Sequence, residues 1–254
     1  MFIESPADLE KMRRVSEAVG ETLRQMREYV QVGMTTKEVD EFGYTILQSY
    51  GAKPAPNFVY NFPAWTCISI NQEAAHGVPS AEVRFCEGDL VNIDVSAELD
   101  GYFADNGGSF VLGQDHQKLQ PLVDASRRIL QRAISQIRGG VRIADLGRFI
   151  QNEAKKSGYR VIKNLVGHGI GKSLHEEPTE IPCFFDPQNK TRFRKNSVVA
   201  VETFISTRAS KVHEQPNGWT FGTNDGSFVA QHEHTIVVTD GKPLILTAAN
   251  RIWE

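Results

Sequence analysis

Apolar positions at the start of the chain fall on one helical stripe. Leu9, Met12, Val15, Val19, Leu23, Met26 and Val30 recur at steps of three and four, the period of a helix with one buried face. Ser5 is placed to cap this helix, Pro6 suits its first turn, and Asp8 completes a capping-box pattern. A second helix is predicted to open at Thr35, with Glu38 three residues on, and to end at Gly51. From about residue 55 to 96 the pattern shortens to strand-like runs, of which Trp65 to Ile70 and Leu90 to Val95 are the clearest. Helical periodicity returns over 117–138 through Leu119, Leu122, Val123, Ile129, Leu130, Ile134 and Ile137, and Gly139-Gly140 stops it. A fourth helix is expected over 143–157, ended by Gly158. Beyond 160 the chain is strand-like again, with Val198 to Ile205, Phe228 to Val238 and Leu244 to Leu246 standing out. Helices then strands, twice over, predict an α+β fold with an antiparallel sheet rather than alternating βαβ units. The two halves share a loose plan and no Ser/Gly/Pro-rich linker divides them, so residues 1–254 are expected to form a single domain.

Composition narrows the classes without naming a chemistry. The 254 residues carry 28 Lys+Arg against 31 Asp+Glu, a formal net charge of −3, with 40% apolar and 23% charged residues. Those values exclude a disordered or fibrous chain. A pI near 6.2 offers no general attraction to nucleic acid or anionic lipid, so neither nucleic-acid specificity nor a membrane partner is expected. No run of about 18 apolar residues appears, and the opening MFIESPADLEKMRR lacks the apolar core of a signal peptide. Three cysteines, Cys67, Cys86 and Cys183, are too few for a disulfide scaffold, and a cytoplasmic location is the expectation. The basic stretch Lys190, Arg192, Arg194, Lys195 reads as a solvated loop.

The stretch from Asp89 to Gly113 carries the first chemical signal. Val91, Ile93 and Val95 alternate with Asn92, Asp94 and Ser96, and Asp100-Gly101 is a strong hairpin turn pair. With those two residues as the loop, Asp94 faces Gly107 and Asp105 faces Ser96. The two acids are then diagonal neighbours about 7–8 Å apart on one face. A longer loop from Glu98 to Gly101 would set them directly opposite. Either register leaves two carboxylates repelling across strands unless something neutralises them. A solvated edge hairpin tolerates such a pair, so a metal becomes the better explanation only if further ligands converge.

Three candidates for convergence lie downstream. His168 is flanked by glycines in Val166-Gly-His-Gly-Ile-Gly171, which leaves room for close backbone approach. Glu202 sits in the apolar run Val198-Val-Ala-Val-Glu-Thr-Phe204, and Glu233 in Val229-Ala-Gln-His-Glu-His-Thr-Ile-Val-Val238. A lone glutamate in such a strand costs several kcal/mol unless it is paired or bound to metal, and neither run contains Lys or Arg. Strand alternation turns His232 and His234 to the face opposite Glu233, so both read as structural. His76 and His175 each precede a proline by three residues and belong to fixed loops.

In order, Asn71…His76-Gly-Val-Pro79, Asn92-Ile-Asp94, Gly101-Tyr…Asp105, Gly167-His168-Gly-Ile-Gly171, His175-Glu-Glu-Pro178, Glu202 and Glu233-His-Thr-Ile-Val-Val238 resemble the type I methionine aminopeptidases across nearly the whole chain. With no zinc-binding or linker extension before the first helix, the short bacterial form is the expected match. The resemblance implies the pita-bread fold, a curved antiparallel sheet with helices on its outer face in two pseudo-symmetric halves. It also implies a two-metal hydrolase that removes the N-terminal methionine of nascent proteins and peptides when the second residue is small. By that resemblance Asp94 would chelate one divalent ion, His168 and Glu202 the other, and Asp105 and Glu233 would bridge both. Cobalt, manganese, iron or zinc would suit the donors. His76 and His175 match the family's two non-ligand histidines near the scissile bond, and Glu202 doubles as a proton acceptor. Val59, Phe62, Cys67, Leu174, Phe204 and Trp219 fall where the family lines its methionine pocket. A monomer that touches the ribosome transiently is implied as well.

Two departures touch substrate range rather than hydrolysis. Glu202-Thr203-Phe204 stands where the family has Glu-Pro-Met, and Asn106-Gly107-Gly108 replaces Thr-Ser or Thr-Gly after the second aspartate. The rival readings are an X-Pro dipeptidase or aminopeptidase of the same fold and, in another class, a non-catalytic pita-bread module that binds peptides. The presence of all five candidate ligands argues against the second.

Overall fold

The computed structural model describes residues 1–253. Helices α1 (Pro6–Tyr29) and α2 (Thr36–Ser49) lead into β1 (Lys53–Pro54), α3 (Ala55–Tyr60), β2 (Cys67–Ile70), β3 (Glu73–Ala75) and a long hairpin, β4 (Leu90–Leu99) and β5 (Tyr102–Val111). Then come α4 (Gln120–Ile134), α5 (Ile143–Lys156), β6 (Arg160–Val161), β7 (Val166–Gly169), β8 (Glu176–Pro182) and β9 (Val198–Ser206). The chain closes with β10 (His213–Glu214), β11 (Phe221–Gly222), β12 (Val229–Val237) and β13 (Leu244–Ile245). The main sheet runs β1-β4-β5-β12-β9-β7-β8, and β10, β11 and β3 form a small second sheet. The strand pairs of the main sheet are antiparallel, as the α+β reading expects.

The shared plan of the halves is visible in the packing. α1 lies on β4 and β5 with α2 against it, and α4 lies on β9 and β12 with α5 against it. Residues next to the candidate ligands show which face the helices cover. Asn106, beside Asp105, donates to the Val19 carbonyl of α1, and His232, beside Glu233, meets Ser126 of α4. Helices therefore cover one face of the sheet, and the acids point from the other. Among the described residues no helix is long and apolar enough to cross a membrane.

Local signals explain most boundaries. The Ser5 hydroxyl accepts from the Asp8 amide at 3.1 Å, and Thr35 with Glu38 forms a reciprocal capping box. Asp100 (φ 52°) and Gly101 (φ 79°) both adopt left-handed backbone, which makes the two-residue loop and settles the register: Asp94 faces Gly107 and Asp105 faces Ser96. The exposed basic stretch after residue 189 is held by Arg192 donating to the Gly140 carbonyl and by the ion pair of Lys195 with Asp240.

Two expectations are corrected. Residues 55–60, expected within a strand-like region, form α3, because Pro56 fits a first turn and Asn61 (φ 57°) ends it in the left-handed region. Apolar periodicity over six residues does not separate helix from strand. The helix expected over 117–138 is confined to α4. The Asp115 carboxylate accepts from the Leu119 and Gln120 amides at its start. At its end Gln136 and Ile137 turn tightly onto the carbonyls three residues back.

Candidate metal centre and substrate cleft

Five successive strands of the main sheet each contribute one candidate ligand. Asp94 is on β4, Asp105 on β5, Glu233 on β12, Glu202 on β9 and His168 on β7. The diagonal pair Asp94 and Asp105 share one face of the hairpin, and Glu202 lies directly opposite Glu233 across β9 and β12. Ligand atoms of Asp105, His168 and Glu233 lie within 4.8 Å of one another. His168 Nε2 is 3.9 Å from Asp105 Oδ2.

The glycines around His168 answer to steric demand. A Cβ at Gly167 would stand 2.6 Å from the Ala200 carbonyl oxygen, and one at Gly169 would stand 2.3 Å from that of Glu177. Only bare backbone lets β7 sit between β9 and β8 at this depth. His168 Nδ1 lies 2.9 Å from the Gly169 carbonyl. A carbonyl only accepts, so Nδ1 carries the proton and Nε2 presents a lone pair.

Electrostatics of the cluster is the strongest sign that it holds cations. Burial, then the charges of Asp105 and Glu202, pushes Asp94 well above the usual carboxylate range. Glu233 is raised likewise by burial and then by Asp105, Glu202 and Asp94. Burial lifts Asp105 to about 6 and, helped by the charge on Asp105, Glu202 to about 8. Asp105 Oδ1 and Glu233 Oε1 are buried without a hydrogen-bond partner, a costly state that a divalent ion would relieve. Burial and the neighbouring His175 lower His168 to about 4, so its imidazole is neutral and fit to ligate. Carboxylate oxygens with one imidazole nitrogen are a fitting donor set for divalent first-row metals.

A cavity of about 270 Å³ opens beside the cluster. Asp94, Asp105, His168, Glu202 and Glu233 border it together with His76, His175, Phe62, Cys67, Leu174, Phe204 and Trp219. Phe62 and Trp219 meet edge to face at 5.2 Å between ring centres. Val59, expected in the pocket lining, is exposed and does not border the cavity. The α3 helix places it on the outer side, while the next residue, Tyr60, reaches in.

His76 has left-handed backbone (φ 53°), and a Cβ at Gly77 would collide with Ile68 backbone at 2.1 Å, so His76-Gly77 folds the loop tightly against β2. Thr220 Oγ1 donates to the His76 carbonyl at 3.2 Å. Burial lowers the pKa of His76 and of His175, and His175 adds to the effect on His76. His175 packs on His168 with ring centres 4.1 Å apart, and its Nδ1 lies 2.7 Å from the Tyr60 hydroxyl.

Sequence reasoning passed over Tyr60 and Gln231. Tyr60 belongs to the unforeseen α3. Gln231 lies two residues before Glu233, hence on the same strand face, and period-two counting would have found it. Its Nε2 donates to Glu202 Oε2 at 3.2 Å and to Glu233 Oε2 at 3.0 Å.

Known proteins resemble this chain over nearly its whole length. The chain is 43% identical over 247 residues to methionine aminopeptidase 2 of Bacillus subtilis, covering 97% of this chain and 99% of that one. It is 41% identical over 248 residues to a methionine aminopeptidase of Staphylococcus epidermidis, with 97% and 98% covered. Among solved structures, a methionine aminopeptidase from Thermotoga maritima superimposes with a TM-score of 0.92 at 35% identity, covering 97% of this chain and 99% of that one. A prolidase from Pyrococcus horikoshii gives 0.75 at 22% identity, covering 97% of this chain and 63% of that one, a likeness of fold alone. The pita-bread architecture implied by the sequence motifs is thus the observed one. Residues 10–240 match the profile of metallopeptidase family M24, and the chain belongs to that family.

Proposed function

We propose that this chain, acting as one catalytic unit, is a metal-dependent aminopeptidase that removes N-terminal methionine when the following residue is small. The observation that carries the reading is the convergence of five ligand side chains from five successive strands on a cavity walled by Phe62, Cys67, Leu174, Phe204 and Trp219. Support for the substrate comes from relatives at 41–43% identity that bear the name methionine aminopeptidase.

In this proposal Asp94, Asp105, His168, Glu202 and Glu233 would together hold two divalent ions. Four carboxylates against two dications leave the centre near neutral. Manganese, cobalt, iron and zinc all suit these donors. Bound ions of this kind supply activation of water near neutral pH and polarisation of the scissile carbonyl.

The remaining work falls to side chains. Glu202 accepts the proton of the attacking water and returns it to the departing amide nitrogen as the C–N bond breaks. The Tyr60 hydroxyl holds His175 Nδ1 at 2.7 Å, and with that hydroxyl as donor the imidazole would carry its proton on Nε2 and donate it to the developing oxyanion. His76 holds the scissile amide. The aromatic walls and the polarizable Cys67 sulfur receive a thioether side chain, and Phe204, in place of the family's methionine, narrows the slot. The substrate is the N-terminal peptide of a nascent protein, met in the cytoplasm by a monomer during a transient visit to the ribosome.

A peptide panel tests the reading. Chelator-stripped protein should be inert, and Mn2+ or Co2+ should restore release of free methionine from Met-Gly and Met-Ala peptides. Turnover of X-Pro peptides in preference to these would reassign the enzyme to proline-directed cleavage. Tight peptide binding with no turnover under any added metal would make it a binding module.

A further inference from the structure

Glu202 and Glu233 face each other directly across β9 and β12, an arrangement in which like charges push the side chains apart. Gln231 stands between them, 1% exposed, and its single Nε2 reaches one oxygen of each, Glu202 Oε2 at 3.2 Å and Glu233 Oε2 at 3.0 Å. A carboxamide nitrogen has two hydrogens, so each glutamate receives one. The amide orientation is fixed from behind. Gln231 Oε1 accepts from Asn92 Nδ2 at 2.8 Å, and a flipped amide would set two NH2 groups against each other. Asn92 is itself held by Ser109 Oγ at 3.1 Å, and Ser109 Oγ donates to the Gln231 carbonyl at 2.9 Å.

Space for this amide comes from a missing side chain. A Cβ at Gly107 would stand 2.3 Å from Gln231 Oε1 and 2.6 Å from Nε2. Gly107 faces Asp94 on the hairpin. The far oxygen of Glu233, Oε1, has no hydrogen-bond partner, and both glutamates border the cavity.

We propose that Gln231, oriented by Asn92 and admitted by Gly107, is the positioning residue of the metal centre: it claims one oxygen of Glu202 and one of Glu233 and leaves the other oxygen of each to the ions. The inference rests on the metal reading above. Each glutamate is thereby divided into a fixed oxygen and a ligating oxygen before any ion arrives.

Gly107→Ala is the direct test, because it leaves every ligand and Gln231 itself in place. The clash falls on the end of a flexible side chain, so the amide swings away while the strand persists. Mn2+ titrated calorimetrically into the chelator-stripped chain should bind about 10–100-fold more weakly than to the parent, the usual effect of losing a partner behind a metal ligand. In a Gln231→Ser background the same Gly107→Ala change should alter Mn2+ affinity less than about twofold, since no amide remains to displace. Parental affinity in Gly107→Ala, or an equal loss in both backgrounds, overturns the inference. Should Gln231→Ser fail to fold, Gln231→Met replaces it: a Kd about 10–100-fold weaker supports the role, and a parental Kd rejects it. A parent chain that takes up no Mn2+ overturns the metal centre and this inference together, whereas a parent that binds beside variants that bind equally well removes the inference alone.

Discussion

Stripping the metals should make the stability of this protein fall with pH in a way the loaded form does not. Glu202 rises from 4.5 to about 8 and Asp105 from 3.8 to about 6 in the folded chain, both chiefly through burial. A group whose folded pKa is raised contributes stability that is complete below its unfolded pKa and is lost as pH rises through the folded one. For Asp105 the loss runs from about pH 4 to 6, and for Glu202 it continues to about 8. One extra proton on the folded state corresponds to about 1.4 kcal/mol per pH unit. Between pH 5 and 7.5 Glu202 alone therefore removes about 3 kcal/mol from the metal-free protein. At about 2–4 °C per kcal/mol for a chain of this size, that is roughly 6–12 °C in Tm. The assay is thermal unfolding of chelated and Mn2+-loaded protein in parallel from pH 5 to 8. Only the difference between them is read, so titrations elsewhere in the chain cancel. Cations replace the protons in the loaded form, and the Tm gap should widen by that amount as pH rises. A gap that stays constant or narrows would refute the reasoning.

Asp94→Asn should abolish methionine release and at the same time raise the Tm of the metal-free chain, because it removes one of four mutually repelling buried carboxyls; near-normal activity in the purified variant contradicts the ligand assignment. His175→Ala should lower kcat by about 10²-fold while raising KM far less, since its contact strengthens as the oxyanion forms; the opposite split, read from steady-state kinetics, takes His175 out of that role. Phe204→Leu should shift relative kcat/KM about tenfold toward peptides that begin with a bulkier residue such as phenylalanine; an unchanged Phe-to-Met ratio means that Phe204 does not set the width of the slot.

Much of this site was legible in the sequence because its residues offend local rules. Two aspartates on one face of a period-two hairpin, and glutamates inside apolar runs without Lys or Arg, are anomalies that call for a cation. The Asp100-Gly101 turn confined the hairpin to two registers, and the left-handed backbone at both residues selected one. Alternation alone turns His232 and His234 away from the ligand face, and both are buried against hydroxyls, Ser126 and Thr247. What escaped was what breaks no rule. Gln231 is uncharged and ordinary in a strand, and its importance depends on which strand lies opposite, a long-range pairing that composition does not carry. Tyr60 was hidden because a single helical turn has no readable period. That turn also rotated Val59 out of the pocket.

The central claim is that Asp94, Asp105, His168, Glu202 and Glu233 together bind divalent cations in the cleft. Crystals of the stripped chain soaked in Mn2+, with data collected at the manganese absorption edge, test it without reference to turnover. Two anomalous-scattering peaks bordered by these five side chains are expected. An empty cleft, or manganese found only at surface carboxylates, would contradict it.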